Sequence, residues 1–188
     1  MYKRQVLILD FGAQYSQLIA RRVREQSVYC EVKPCSISPA EIEKIAPIGI
    51  ILSGGPQSVY ESVSLRVDPA LFALGIPVLG ICYGCQLMAY SLGGTVAAAT
   101  EATAREYGKT LTEFDTHSAI FQDLPASSVT WMSHGDYISR VPDGFTVTAK
   151  TAVCPTAAMA CPEKRLYGVQ FHPEVQHTVE AVSYTHLT

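Results

Sequence analysis

Charge is scarce in this sequence. Asp, Glu, Lys and Arg make up 16% of its 188 residues while apolar residues reach 48%, against roughly 25% charged residues in an average soluble chain. That balance excludes an intrinsically disordered chain and a charged coiled coil. A dominant sign is missing too. Fourteen Lys and Arg against 17 Asp and Glu leave a net charge of −3 without any block of like charge, so neither a nucleic-acid surface nor one for anionic membranes is expected. The longest apolar runs, such as Ile48–Leu52 and Ile76–Ile81, have strand length, far short of the ~18 residues of a membrane-spanning helix. Met1-Tyr2-Lys3-Arg4-Gln5 runs straight into a strand-like segment, without the apolar core and cleavage site of a signal peptide, and a cytoplasmic location is expected. The six cysteines, at 30, 35, 82, 85, 154 and 161, are too sparse for a disulfide scaffold; most read as reduced, buried, hydrophobe-like side chains, with Cys82 and Cys85 set apart by their unusual neighbourhood. No internal repeat and no Pro/Ser/Gly linker divides the chain, so one domain is expected.

What is present is an alternation. Val6–Asp10 is a short apolar run rich in β-formers, ending at Phe11-Gly12, and reads as a buried strand. Tyr15, Leu18, Ile19 and Val23 then recur at helical spacing, with Arg21, Arg22, Arg24 and Glu25 on the other side. Tyr29–Lys33 is strand-like, and Ser38-Pro39-Ala40-Glu41 supplies a capping box and a first-turn proline. Ile48–Leu52 is a third strand, Asp68-Pro69 opens a helix that Gly75 closes, Pro77–Ile81 is a fourth strand, and Tyr83–Leu92 is a helix ended by Gly93-Gly94. Strands alternating with helices predict right-handed crossovers and a parallel sheet covered on both faces. The second half differs: strands at Tyr107–Phe114, Ser128–Met132, Phe145–Lys150, Ala157–Cys161 and Leu166–Phe171 are joined by turns. The expected fold is therefore a single α/β domain with a mixed, mainly parallel sheet, flanked by helices and extended by antiparallel strands.

Three short segments carry chemistry. Gly80-Ile81-Cys82-Tyr83-Gly84 sets a cysteine between a strand and a helix with glycine two residues away on each side. This is the pattern of a nucleophile elbow, G-x-C-x-G in place of G-x-S-x-G, in which the side chain stands exposed at the sheet edge. A helix N-terminus behind it favours the thiolate. The alternative is an ordinary buried cysteine. His172-Pro173-Glu174 places a base and a carboxylate on the same side of an extended segment, which is triad logic in the order Cys, His, Glu; without Cys82 the pair would read as a strand-end histidine and a solvated carboxylate. Ser53-Gly54-Gly55-Pro56 follows a strand whose C-terminal end lies on the same edge as Cys82. This loop could donate one oxyanion hydrogen bond and the Tyr83 N–H another, or it is a plain tight turn.

These elements together resemble the signatures of the class I (triad) glutamine amidotransferases, which have a flavodoxin-like fold. Within that family, Val6–Gln17, Trp131–Asp136 and Tyr167–Thr178 are similar to the glutaminase domain of the GMP synthase branch, and the resemblance covers about residues 6–181. It implies that Cys82, His172 and Glu174 form the triad, that Gly55 and Tyr83 supply oxyanion N–H groups, and that Gln86, Ser133, Gly135 and Asp136 bind glutamine. Asp136 stands between pairing with the substrate α-ammonium and a structural salt bridge. No metal and no cofactor is implied for this chain. The partner implied is an ATP-pyrophosphatase domain or subunit, which uses the ammonia, ATP and Mg²⁺ to turn XMP into GMP.

Departures from the family pattern are the Cys85 that stands where methionine is usual, giving a C-x-x-C spacing open to a disulfide, and the absence of a pyrophosphatase loop after the triad. Residues 1–5 and 183–188 do not continue the pattern and read as non-native ends, leaving a helix expected after Thr178 incomplete. Rival readings are a glutaminase serving an anthranilate or carbamoyl-phosphate synthase, a zinc-dependent deaminase built on His172-x-Glu174 and Cys82-x-x-Cys85 with the motif order reversed, a redox protein using Cys82 and Cys85, and a non-catalytic binding module.

Overall fold

The computed structural model describes residues 5–12, 15–61, 64–98 and 105–175. The expectations for residues 1–4 and 183–188, for a helix after Thr178, and for Ala13-Gln14 and Gln176–Thr178 within the family motifs lie outside the described residues. The elements in chain order are β1 (Gln5–Asp10), α1 (Ser16–Glu25), β2 (Tyr29–Pro34), α2 (Pro39–Ile45), β3 (Gly49–Leu52), a 3-10 turn at Pro69–Ala73, β4 (Val78–Ile81), α3 (Tyr83–Ser91), β5 (Thr95–Ala98), β6 (Glu106–Phe114), β7 (Ser127–His134), β8 (Asp136–Arg140), β9 (Thr146–Lys150), β10 (Ala158–Cys161) and β11 (Leu166–Val169).

Local chemistry explains most of these boundaries. At α2 the Ser38 hydroxyl accepts from the Glu41 N–H at 3.3 Å, and the Glu41 carboxylate accepts from the Ser38 N–H at 3.1 Å, the reciprocal capping box read from the sequence. α1 has no side-chain cap and is held by burying Ile19, Ala20 and Val23. The segment after Asp68 forms a 3-10 turn where an α-helix was expected. The Asp68 carboxylate accepts from the Ala70 N–H at 2.9 Å, and Gly75 with φ +70 ends the run one residue after Leu74. That leaves too few residues to repay helix nucleation.

Nine strands form one sheet in the order β2-β1-β3-β4-β11-β10-β9-β6-β7. Pairing is parallel from β2 through β1, β3 and β4 to β11 and antiparallel from β11 out to β7. The mixed sheet with an antiparallel extension is as expected. A second, two-stranded sheet of β5 and β8 was not, because each strand buries one strong hydrophobe, Val96 and Ile138, leaving almost no period-two signal.

Alternation in the central strands fills both faces. Leu7 and Leu9 point into a cluster with Ile42 of α2 and Leu87 and Met88 of α3, whereas Ile8 joins Ile19, Ala20 and Val23 of α1 on the other face. The parallel strands all direct their C-terminal ends to one edge, where the three chemical segments emerge. Two glycines let α3 settle against that edge. A Cβ on Gly84 would sit 2.5 Å from the Leu52 carbonyl oxygen, and one on Gly80 would sit 2.7 Å from the Cys85 nitrogen. We therefore expect Gly84→Ala to destabilise the fold by about 1–3 kcal/mol, the range for overpacking, in denaturant titration. Gly49→Ala, whose Cβ would meet the Pro77 oxygen at an ordinary 3.7 Å, serves as the near-neutral comparison.

Candidate active site

Cys82 follows the last residue of β4 and caps α3, with φ 50 and ψ −107. Non-glycine residues rarely hold a positive φ, and such strain concentrates at functional sites. The turn persists because it is tied down on both sides. The Cys82 N–H donates to the Val169 carbonyl at 2.8 Å, and the Gly84 N–H to the Ser53 carbonyl at 3.2 Å. The elbow expected from the spacing is present, but its thiol is covered, at 6% exposure. It donates to the Ser133 carbonyl at 3.7 Å and accepts from Gln170 Nε2 at 3.6 Å.

His172 reaches Cys82 through strand register. β11 lies parallel to β4 with Val169 opposite Ile81, so the chain beyond Val169 runs beside the chain beyond Ile81. The ladder stops there, two residues before the expected end of the strand, and the segment crosses toward β7, where the His172 N–H donates to the Trp131 carbonyl at 2.9 Å. The His172 ring and Glu174 Oε1 share a hydrogen bond at 2.8 Å through Nδ1, with both side chains buried. The Arg22 guanidinium donates to the Glu174 backbone carbonyl at 3.0 Å, and the Tyr15 ring meets the imidazole edge-on at 5.8 Å between centroids. Burial alone would lower the His172 pKa. Hydrogen bonds with Cys82 and Glu174, and their charges, outweigh it and raise the value from 6.5 to about 10.

The Ser53–Pro56 loop is locked to the same edge. Ser53 donates its N–H to the Leu9 carbonyl at 3.1 Å and accepts at Oγ from the Phe11 N–H at 3.1 Å. Gly55 faces the Tyr83 ring and the Phe11 carbonyl, each 3.2 Å from where a Cβ would stand. The Tyr83 N–H lies in the first turn of α3, where backbone donors have no intrahelical acceptor. Ser133 ends near the thiol through its carbonyl, and Gly135 lies beside the Tyr107 hydroxyl. Gln86 is buried, and its Nε2 donates to the Asp136 carbonyl at 2.8 Å and to Gln170 Oε1 at 3.1 Å. Asp136 enters the arrangement through this main-chain oxygen.

Cys85 is a buried residue of α3, and its thiol is free, like those of the other five buried cysteines. Its sulfur points at Gly168 on β11, where a Cβ would come within 2.5 Å. Burial, with Cys82 and Cys154 adding to it, pushes the Cys85 thiol well above its usual pKa, which keeps it protonated and inert.

Several neighbours went unrecognised in the sequence: Gln170, Arg22 and Tyr15 at the site, and Glu106, His134 and Cys154 behind it. Those last three are the described residues whose donor atoms could converge on a metal ion, all within 4.8 Å of one another. The protein already engages them: His134 Nε2 lies 3.4 Å from Glu106 Oε2, Thr151 donates to Glu106 Oε1 at 2.6 Å, and the Cys154 thiol donates to the Thr156 carbonyl at 3.4 Å. Apolar space alone does not mark the site. A groove of about 380 Å³ beside α1 is lined by Ile19, Val23 and Leu79 and reaches Arg22 and Glu174 at the back of the site, but neither Cys82 nor His172 lines it.

A strained cysteine at a strand-helix elbow thus shares one edge of a mixed α/β sheet with an imidazole bound to a buried carboxylate. The family model "Glutamine amidotransferase class-I" matches residues 7–187, and the chain belongs to that family. It is 58% identical over 179 residues to a GMP synthase (glutamine-hydrolyzing) of Clostridium botulinum, covering 95% of this chain and 34% of that protein. It is 56% identical over 173 residues to the GMP synthase (glutamine-hydrolyzing) of Bacillus pumilus, covering 92% and 33%. The chain thus spans about a third of the length of these curated relatives. Among solved structures it superposes with a TM-score of 0.82 on a protein of Thermoplasma acidophilum described as a GMP synthase subunit, at 30% identity, over 96% of this chain and 89% of that one. A glutamine amidotransferase of Thermotoga maritima shares the fold, with a TM-score of 0.74 and 22% identity over 92% of this chain and 77% of that one.

A raised His172 pKa means that the folded state holds the proton more tightly than the unfolded chain. Its contribution to stability is fully present below about pH 6.5 and is lost as pH rises through about 10. Glu174→Gln removes one of the two raising partners. The expected result is a lower His172 pKa in an NMR titration of the ring protons, with a shallower fall in stability over the same window. An unmoved titration would remove Glu174 from this electrostatic arrangement.

Proposed function

We propose that the chain is the glutaminase part of a GMP synthase. The observation that carries the reading is the pairing of a strained Cys82 with a His172 whose pKa is raised by Cys82 and Glu174. The names of the relatives, GMP synthases that hydrolyse glutamine, supply the substrate and the product of the whole enzyme.

In this reading Cys82, His172 and Glu174 act as a triad. The proton of the Cys82 thiol passes to His172, Glu174 holds the resulting imidazolium, and the thiolate attacks the side-chain amide carbon of glutamine. The Gly55 and Tyr83 N–H groups stabilise the oxyanion of the tetrahedral intermediate. His172 returns its proton to the departing nitrogen, ammonia leaves, and a γ-glutamyl thioester remains on Cys82. Water then gives a proton to His172 and attacks the thioester, and collapse of that second intermediate releases glutamate and the sulfur. Ser133, Gly135 and Asp136 border the amino-acid end of the substrate. Ammonia is consumed in an ATP-pyrophosphatase portion or subunit, where ATP and Mg²⁺ act and XMP becomes GMP. Cytoplasmic location is part of this proposal; among the described residues no helix is long and apolar enough to cross a membrane.

Cys82→Ala is expected to abolish glutamate release, by at least a thousandfold, since removal of a catalytic nucleophile commonly costs several orders of magnitude. A glutamine-like chloroketone should add one adduct per chain, located on Cys82 by peptide mass spectrometry, with the buried Cys85 unmodified. Activity surviving in Cys82→Ala, or the label on another sulfur, would overturn the assignment.

The synthetase connection has its own test. Glutamate release by this chain is expected to rise at least severalfold when a GMP synthase ATP-pyrophosphatase subunit, XMP and ATP are added together. Equal rates with and without them would separate the chain from that partner and favour a glutaminase of another synthase.

A further inference from the structure

Gln86, cast by the resemblance as a substrate-binding residue, has its amide nitrogen engaged within the protein, and a backbone oxygen sets that orientation. A main-chain carbonyl can only accept. The Asp136 carbonyl faces Gln86 Nε2 at 2.8 Å and His134 Nδ1 at 3.0 Å, so both of those atoms must carry hydrogen. The Gln86 amide is thereby fixed with its nitrogen toward Asp136, and the second hydrogen on that nitrogen faces Gln170, 3.1 Å away. Gln170 must present its oxygen there. With its oxygen so committed, the Gln170 amide turns its nitrogen to the remaining neighbour, the Cys82 sulfur at 3.6 Å. Gln170 is fully buried and Gln86 nearly so, and one carbonyl that cannot reverse sets the polarity of the whole chain of amides.

We propose that Gln170 is a further catalytic residue that donates a side-chain N–H to the Cys82 thiolate, and that Gln86, the Asp136 carbonyl and His134 are the positioning groups that hold it in that orientation. The donor answers a specific problem. The thiol form of Cys82 donates to the Ser133 carbonyl at 3.7 Å, and once the proton has gone to His172 that carbonyl oxygen faces a negative sulfur. An N–H aimed at the sulfur favours the charged form and opposes that repulsion. Strand register puts it there: Gln170 follows Val169 and Cys82 follows Ile81, residues paired across β11 and β4. The Gln170 N–H also donates to the Ala157 carbonyl at 2.8 Å, which fixes the backbone from which the side chain projects.

Among the described residues the titratable groups facing Cys82 are His172 with Glu174 and Tyr15 behind it, Cys85 on α3, and His134 with Glu106 through the Asp136 carbonyl. The inference deepens the glutaminase reading and rests on Cys82 being the nucleophile, so its test reads the thiol directly. The rate of iodoacetamide addition to Cys82, resolved from the other cysteines by peptide mass spectrometry, gives the apparent thiol pKa as a function of pH. Gln170→Met keeps the bulk and loses the donor; the expected change is a rise of about one unit, a tenfold loss of thiolate at a given pH below it. Gln86→Leu has no donor at either contact and adds no charge, and it should move the pKa in the same direction, which loss of a substrate contact would not do. Glutaminase kcat/KM of both variants should fall about tenfold at neutral pH and recover toward the unsubstituted value on the alkaline side. An apparent pKa within about 0.3 unit of the unsubstituted protein in the folded variants overturns the proposal. Should a variant fail to fold, the unsubstituted protein decides. The Gln170 side-chain amide protons must shift in NMR spectra as Cys82 titrates, and protons blind to that titration overturn it equally. Failure of the glutaminase reading looks different: glutamate release is absent from the unsubstituted protein while the thiol measurements stand.

Discussion

Parallel pairing of β4 with β11 ends with Ile81 opposite Val169, so two segments distant in sequence leave the sheet side by side, at the same edge and the same height. From that one ladder follow the placing of Cys82, Gln170 and His172. The Cys82 N–H donates to the Val169 carbonyl, so the strained turn is itself stapled to the strand that delivers the base. Had β11 paired one residue out of register, every side chain beyond it would have turned to the opposite face. Gly168 guards this register from below, since its missing side chain leaves room for the Cys85 sulfur.

Burial gives the site its electrostatic character. The thiol, the imidazole and the Glu174 carboxylate all lie beneath the surface, where an isolated charge is costly and a paired one interacts strongly. Each therefore needs partners: the thiol meets the Ser133 carbonyl of β7 and the Gln170 amide, and the imidazole and the Glu174 carboxylate meet each other, while Arg22 of α1, the Trp131 carbonyl of β7 and Gln86 of α3 hold the backbone of Glu174, the backbone of His172 and the side chain of Gln170 in place. Among the described residues Glu174 Oε2 is buried without a hydrogen-bond partner, as are Glu106 Oε2 and His134 Nε2. Behind β7 the Glu106 and His134 pair repeats the motif of a buried carboxylate and imidazole, there directed at the backbone of Asp136.

Much of this was legible in the sequence because it is local. The capping box at Ser38, the strand-helix alternation to Ser91 and the glycines two residues either side of Cys82 each report on backbone geometry within a few residues. Short-range patterning failed where packing decided. Asp68–Gly75 kept the start and stop signals of a helix but had room only for a 3-10 turn. Thr95–Ala98 and Asp136–Arg140 became strands by pairing with each other, with one strong buried hydrophobe apiece. Gln170 sat inside a motif already in view, two residues before His172, and was overlooked because a glutamine carries no charge and no intrinsic reactivity to flag it.

The amino-acid order by itself determined that residue 82 would sit on a sharp turn, that His172 and Glu174 would share one side of an extended segment, and that the first half would alternate strand and helix. These follow from steric limits on φ and ψ and from side-chain periodicity, which act between neighbours. Which residues would meet was left to the tertiary structure. Nothing near position 82 specifies that Val169 will lie beside Ile81, or that a carbonyl at Asp136 will orient two glutamines 34 and 50 residues from it in sequence. Such contacts exist only once strands far apart in the chain share one sheet and bury its faces, because only a closed core fixes register.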